Sequence, residues 1–176
     1  MRSRQRRAGK MTLVKGTLTG EEAIGLLNMK KDIVGTTVIK VHNNFTMDLE
    51  SEDQAEKFIV NFNKGNIALR YTDQLRCRVN IPLLRLDVGA GKHVNPRVLS
   101  PCSPRDPFYH IHADCVGRVF LPGEPHIHFY REGYNDWWAY PPEGFTDMSD
   151  AAKTTVEFLG KCNVSNLPSI QRALFP

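Results

Sequence analysis

The chain has 176 residues, 41% of them hydrophobic and 24% charged, with a net charge of +4. That length suits one domain with a real core, and the balance is ordinary for globular chains, which sets aside low-complexity and fibrous classes. No run reaches the roughly 18 apolar residues of a membrane span, so no membrane partner is expected.

The basic opening "MRSRQRRAGK" has no apolar segment behind it, so it does not read as a secretory signal. Residues 1–10 are expected to form a disordered arm, or one that touches phosphates, and residues 11–176 a single α+β domain. The four cysteines, Cys77, Cys102, Cys115 and Cys162, form no C-x-x-C pair. They are expected to be reduced thiols in a cytoplasm rather than a zinc ribbon or redox site.

In chain order, Thr19 and Glu22 offer a capping box ahead of "AIGLLNMKK", which predicts an amphipathic helix. "DIVGTTVIKVHNNFTMDLE" predicts two strands meeting near Asn43 and Asn44. "KFIVNF" and "NIALRY" flank "NKG" and predict a hairpin turning at Asn63 to Asn66. "SEDQAEKF" also permits a helix capped by Ser51. In "RCRVNIPLLRLDV" the apolar alternation slips by one residue after Pro82, which predicts a single run with a bulge or bend there. A long Gly- and Pro-rich loop follows. "FYHIHADC" and "PHIHFYRE" read as strands, "DAAKTTVEFLGKC" as a helix, and "LPSIQRALF" as a short final helix. The expected class is α+β, an antiparallel sheet with an N-terminal and a C-terminal helix.

Four of the six histidines fall in the two H-x-H runs. Side chains alternate along a strand, so His110 and His112 share one face, and so do His126, His128 and Tyr130. Three uses stay open for such pairs: packing or solvent-facing positions, metal ligation, and acid–base or anion-binding chemistry. The cofactor stays open; a divalent metal is one option, held by His126 and His128 and less readily by His110 and His112. "HIHFYRE" matches part of the cupin metal motif, but the glycine spacing differs and no histidine follows His128.

Polar groups recur around the second pair. "RLDVGAGKHVNP" supplies Arg85, Asp87, His93 and Asn95. "EGYNDWWAYP" supplies Tyr134, Trp137 and Trp138. Such a set suits a phosphodiester: Arg85 would neutralise phosphate beside Asp87, and His93 with His126 or His128 would act as base and acid. Asn95, Tyr130 and Tyr134 are candidate substrate contacts. Trp137 or Trp138 could stack on a base, although packing is the ordinary use of a tryptophan at a sheet edge.

"RLDVGAGKHVNP" followed by "PHIHFYREGYNDWWAYP" resembles a family of small bacterial and prophage-borne proteins of unassigned activity. The resemblance covers roughly residues 84 to 141. This chain departs from it by extra sequence, including "FYHIHADC", between the two halves, which puts any role of His110 and His112 in doubt. The order R-x-D, His, H-x-H is loosely similar to small histidine-rich toxins of toxin–antitoxin pairs. That similarity implies RNA or another nucleic acid as substrate and an antitoxin as partner. Three functions follow as expectations. The first is a small nuclease-like or phosphodiesterase-like protein. The second is a non-catalytic, anti-CRISPR-like factor that binds a host defence protein. The third is a metal-binding β-domain. No P-loop, dinucleotide fingerprint or nucleophile motif is present.

Overall fold

The computed structural model describes residues 18–35, 38–39, 44–66, 69–97, 115–130 and 138–170. Helix α1, Gly20–Asn28, starts where the sequence places it. The Thr19 hydroxyl accepts from the Glu22 N–H, and the Glu22 carboxylate accepts from the Thr19 N–H. Two amides that the helix cannot satisfy internally are thereby closed. Thr19→Ala should cost about 1 kcal/mol, read as a lower urea midpoint at unchanged slope. An unchanged midpoint would mean that water serves these amides equally well.

The remaining elements run β1 (Lys31–Ile33), β2 (Val38–Ile39), β3 (Phe45–Ser51), β4 (Lys57–Lys64), β5 (Tyr71–Cys77), β6 (Ile81–Val88), β7 (His93–Val94), β8 (Val119–Phe120), β9 (His126–Phe129), β10 (Ala139–Tyr140), α2 (Ala151–Lys161) and β11 (Ser169–Ile170). Seven strands form one sheet in the order β1-β3-β4-β5-β6-β9-β10. Every pairing within it is antiparallel. The fold is therefore α+β, with a helix toward each end of the chain.

Period-2 alternation divides the sheet into two faces. One face buries Met47, Leu49, Phe58, Val60, Phe62, Tyr71, Leu75, Leu84, Leu86 and Ile127. Both helices pack here: Leu26 of α1 and Phe158 and Leu159 of α2 join the same cluster. Each such large apolar side chain contributes roughly 1.5–3 kcal/mol on leaving water. Lys31 ties the layers together. It is fully buried, and its Nζ donates to Leu27 O, Met29 O and Cys162 O, carbonyls at the ends of both helices. Burial pulls its ammonium down to about 8.

The other face is polar. Register places Asn61, Gln74, Arg85 and His128 opposite one another in one row across β4, β5, β6 and β9. Asn63, Thr72, Asp87 and His126 form the next row. Among the described residues no helix covers this face. The short β7–β8 pair folds over its β6–β9 end.

Local sequence mispredicts several joins. The hairpin after β4 does not turn at Asn63: β4 runs on to Lys64, the Gly65 N–H donates to Arg70 O, and β5 starts only at Tyr71; residues 67 and 68 lie outside the described residues. The helix that "SEDQAEKF" permits does not form. The Ser51 hydroxyl instead bonds Asp53 and Glu56 within a turn between β3 and β4. "RCRVNIPLLRLDV" is not one run but two strands. Arg78 and Val79 take positive φ, 45° and 72°, and turn β5 into β6. A bulge does lie beside Pro82: Leu75 pairs Leu84 while Arg76 pairs Pro82, which leaves Leu83 extra. "DIVGTTVIKVHNNFTMDLE" contains three strands rather than two. β1 pairs β3, whereas β2 leaves to pair with β11 in parallel. The expected final helix is thus replaced over Ser169 and Ile170 by strand β11; residues 171–176 lie outside the described residues, as do the 1–10 arm and Asn43. No helix among the described residues is long and apolar enough to cross a membrane.

Candidate functional site

Strand β9 carries His126 and His128 on the polar face, and their neighbours on β6 are Asp87 and Arg85 in direct register. Beyond β6 the chain must turn sharply to bring His93 back over these strands. Gly89 permits this at φ 65°, where any Cβ would stand 2.4 Å from Leu69 O. β7 then pairs with β8, and His93 lies above the β9 histidines. Ring centroids are 5.4 Å apart for His93–His126, 5.1 Å for His93–His128 and 5.0 Å for His126–His128. Phe120, from β8, packs on His126 at 5.1 Å. One ring nitrogen from each histidine lies within 4.8 Å of those of the other two.

The hydrogen bonds fix which ring nitrogens carry the proton. His126 Nδ1 lies 3.0 Å from Glu124 O, and His128 Nδ1 3.2 Å from Trp138 O. Carbonyl oxygens only accept, so Nδ1 carries the proton in both rings. Asn95 settles His93. Its Nδ2 donates to Cys115 O and Ala139 O, and its Oδ1 accepts from the Ala139 N–H. The same Oδ1 therefore accepts from His93 Nε2 at 3.1 Å. In the neutral state the remaining nitrogens, Nε2 of His126 and His128 and Nδ1 of His93, carry lone pairs.

Asp87 stands among them. Its Oδ2 lies 3.2 Å from His128 Nε2 and 3.9 Å from His126 Nε2. Its Oδ1 accepts from Thr72 Oγ1 at 2.7 Å and from Arg85 Nε and Nη2 at 3.0 and 2.8 Å. Burial pushes this carboxyl up, but the His128 contact, the Arg85 charge and the Thr72 and Arg85 hydrogen bonds outweigh it and hold it at about 2. Burial lowers His93 and His126, against the opposing bonds to Asn95 and Glu124. His126 and His128 are buried and His93 half-buried, while the Arg85 side chain is 44% exposed at the rim.

A carboxylate facing two imidazole lone pairs is repulsive unless a cation sits between them. A proton on His128 is one solution and a metal ion is the other. Ligand atoms around a tetrahedral zinc lie about 3.3 Å apart, so imidazole nitrogens at the 4.8 Å limit would close by about 1.5 Å to share an ion, with Asp87 beside them. The outward hydrogen bond from every ring is the support that metal-ligating histidines need.

Of the residues singled out in the sequence, His93, His126, His128, Arg85 and Asp87 converge. Asn95 is nearby but 1% exposed, with its amide fully used in orienting His93 and clamping β10, so it is a support and not a substrate contact. The Tyr130 hydroxyl donates to Leu18 O and accepts from the Leu18 N–H, which ties the chain ahead of α1 to the end of β9. Trp138 is buried at 3% exposure and cannot stack on a base. His110, His112, Tyr134 and Trp137 lie outside the described residues. Thr72 and Phe120 carry no signal of their own in the sequence. Thr72 becomes visible only once β5 is paired with β6, and Phe120 only once β8 is paired with β7.

No curated protein and no solved structure matches the chain. Residues 18–164, which contain the whole cluster, match a family of unknown function, DUF6978, and the chain belongs to that family.

Proposed function

We propose that the protein is a nuclease-like phosphodiesterase built on a zinc-type centre, with His93, His126 and His128 as the ligands. The observation that carries this reading is the orientation of the three imidazoles. His126 and His128 place their Nδ1 protons on backbone carbonyls and their Nε2 lone pairs beside Asp87, and one ring nitrogen from each of the three histidines lies within 4.8 Å of the other two. An imidazole set suits zinc and its transition-metal neighbours rather than magnesium. His93, His126 and His128 would hold the ion, which would supply Lewis acidity to a water or a substrate oxygen.

The chain's own groups then divide the work. Asp87, held at about 2, is too weak a base to keep a proton near neutral pH. It would serve as the anionic acceptor that orients a water or substrate group beside the three histidines, and Thr72 and Arg85 fix its angle. Arg85 spends Nε and Nη2 on Asp87 and keeps its other guanidinium hydrogens for an incoming anion. The charges fit that role. Neutral imidazoles and an Asp87–Arg85 pair sum to zero, so a divalent ion makes the site positive and attracts phosphate. The buried free thiols of Cys77, Cys115 and Cys162 support a reducing, cytoplasmic setting.

The test is metal analysis of tag-free protein after dialysis, paired with hydrolysis of bis(p-nitrophenyl) phosphate. The expected result is about one zinc-type ion per chain, with turnover lost on chelation and restored by the metal. Protein that stays metal-free after equilibration with zinc and with manganese would end the reading and leave a protonated His128–Asp87 pair.

A further inference from the structure

From the layout of the polar face we infer that it is a track for single-stranded nucleic acid leading into the histidine centre. This rests on the phosphodiesterase reading above and adds its substrate class. The row His128, Arg85, Gln74, Asn61 crosses four neighbouring strands. At about 4.8 Å per strand, Gln74 lies roughly 10 Å and Asn61 roughly 14 Å from the centre. Arg76 stands beside Gln74 on the same face of β5, two residues along.

The chemistry of this row is that of a nucleotide chain. Guanidinium groups suit phosphates, and amides suit base edges. Among the described residues, the side chains of Gln74 and Arg76 make no hydrogen bond; Arg76 Nε is buried, so the Gln74 amide and the outer guanidinium nitrogens of Arg76 are the donors offered to a ligand. The β3 acids Asp48 and Glu50 share this face but lie beyond β4. That bounds the track to β4, β5 and β6, where Lys57, Arg76 and Arg85 outnumber Asp87; Arg85 is paired with Asp87 and Lys57 faces Glu50, so Arg76 carries the uncompensated charge.

A single strand fits better than a duplex, because only unpaired bases turn their edges to a flat sheet. No aromatic side chain projects from the described β4, β5 and β6 on this face. Stacking, the usual anchor of single strands, is therefore absent here. Affinity must come from phosphate contacts and amides, which predicts strong salt dependence.

The test uses the full chain in EDTA, so that nothing is cleaved. Binding of a fluorescein-labelled 12-nucleotide RNA, the same DNA sequence and the matching duplex is followed by anisotropy from 50 to 200 mM salt. Single strands should bind more tightly than the duplex. Gln74→Ala with Arg76→Glu should weaken them about tenfold or more and flatten the salt slope, with zinc content unchanged. If Arg76→Glu unfolds the sheet, Gln74→Ala with Arg76→Gln carries the same test at smaller amplitude. Wild-type protein that binds no oligonucleotide at 50 mM salt, that prefers the duplex, or whose folded variants bind undiminished overturns the track. Hydrolysis of bis(p-nitrophenyl) phosphate without oligonucleotide binding sinks the track alone. Oligonucleotide binding that depends on Gln74 and Arg76 in a protein that never takes up metal upholds the track and sinks the catalytic reading.

Discussion

His128→Ala is expected to strip the protein of stoichiometric zinc and to leave turnover below about 1% of wild type. The comparison that gives this meaning is Asn95→Ala. Asn95 touches the centre only through His93, and losing such a support costs roughly 10–100-fold in metal affinity or activity. Losing a ligand must exceed that. Arg85→Ala should behave differently again. It should keep the metal, because no ligand changes, and raise KM through lost phosphate neutralisation. His128→Gln guards against a trivial outcome, since it keeps much of the volume and leaves an amide to serve Trp138 O. Zinc measured by mass spectrometry in the folded variants decides the matter. A His128→Ala protein that holds a full equivalent of zinc would remove His128 from the centre.

How much of this site could be read in the sequence depends on how local its determinants are. Alternation along "PHIHFYRE" is enough to put His126 and His128 on one face, because a period of 2 needs only the strand itself. The same rule lets Tyr130 follow them, and there it misleads: the strand ends at Phe129, and the Tyr130 hydroxyl turns to Leu18. The capping box at Thr19 is local and forms as expected. His93 meeting the β9 pair is not local. It needs Gly89 to release the chain at positive φ and β7 to find β8.

The failures share that cause. Arg78 and Val79 are poor choices for positive φ, and a β-branched residue there is an outlier. Nothing in "RCRVN" advertises a turn, and it is imposed by ladders closing on both sides, β5 on β4 and β6 on β9. Strand β11 has its partner β2 about 130 residues upstream, and the two-residue pairing is too short to leave a pattern. Asn95 shows the limit most clearly. Its place in "KHVNP" suggests a ligand contact, yet its value lies in four hydrogen bonds with β7, β10 and Cys115. No spacing rule reveals a buried amide that joins three segments.

Asp73 gives the second large effect, in stability rather than activity. It occupies an inward position of β5, between Tyr71 and Leu75, where the pattern asks for an apolar residue. Its only hydrogen-bond partner among the described residues is the Thr155 hydroxyl of α2, at 3.2 Å from each carboxylate oxygen. Burial pushes the carboxyl up to about 8, and the Thr155 bond offsets little of this. The folded pKa lies above the unfolded one. The folded state therefore keeps its proton while the unfolded state loses it, and stability falls as pH rises from about 4 to about 8. Each pH unit in that window costs roughly 1.4 kcal/mol. Asp73→Asn removes the titration and retains an amide that can pair with Thr155. The two proteins should melt at similar temperatures near pH 4.5, and wild type should fall progressively below the variant as pH rises to 8. Thermal melts across that range provide the measurement. A wild-type melting temperature that holds level from pH 5 to 8, or a variant that tracks it in parallel, would show that Asp73 is ionised in the fold. A cation would then have to reach it.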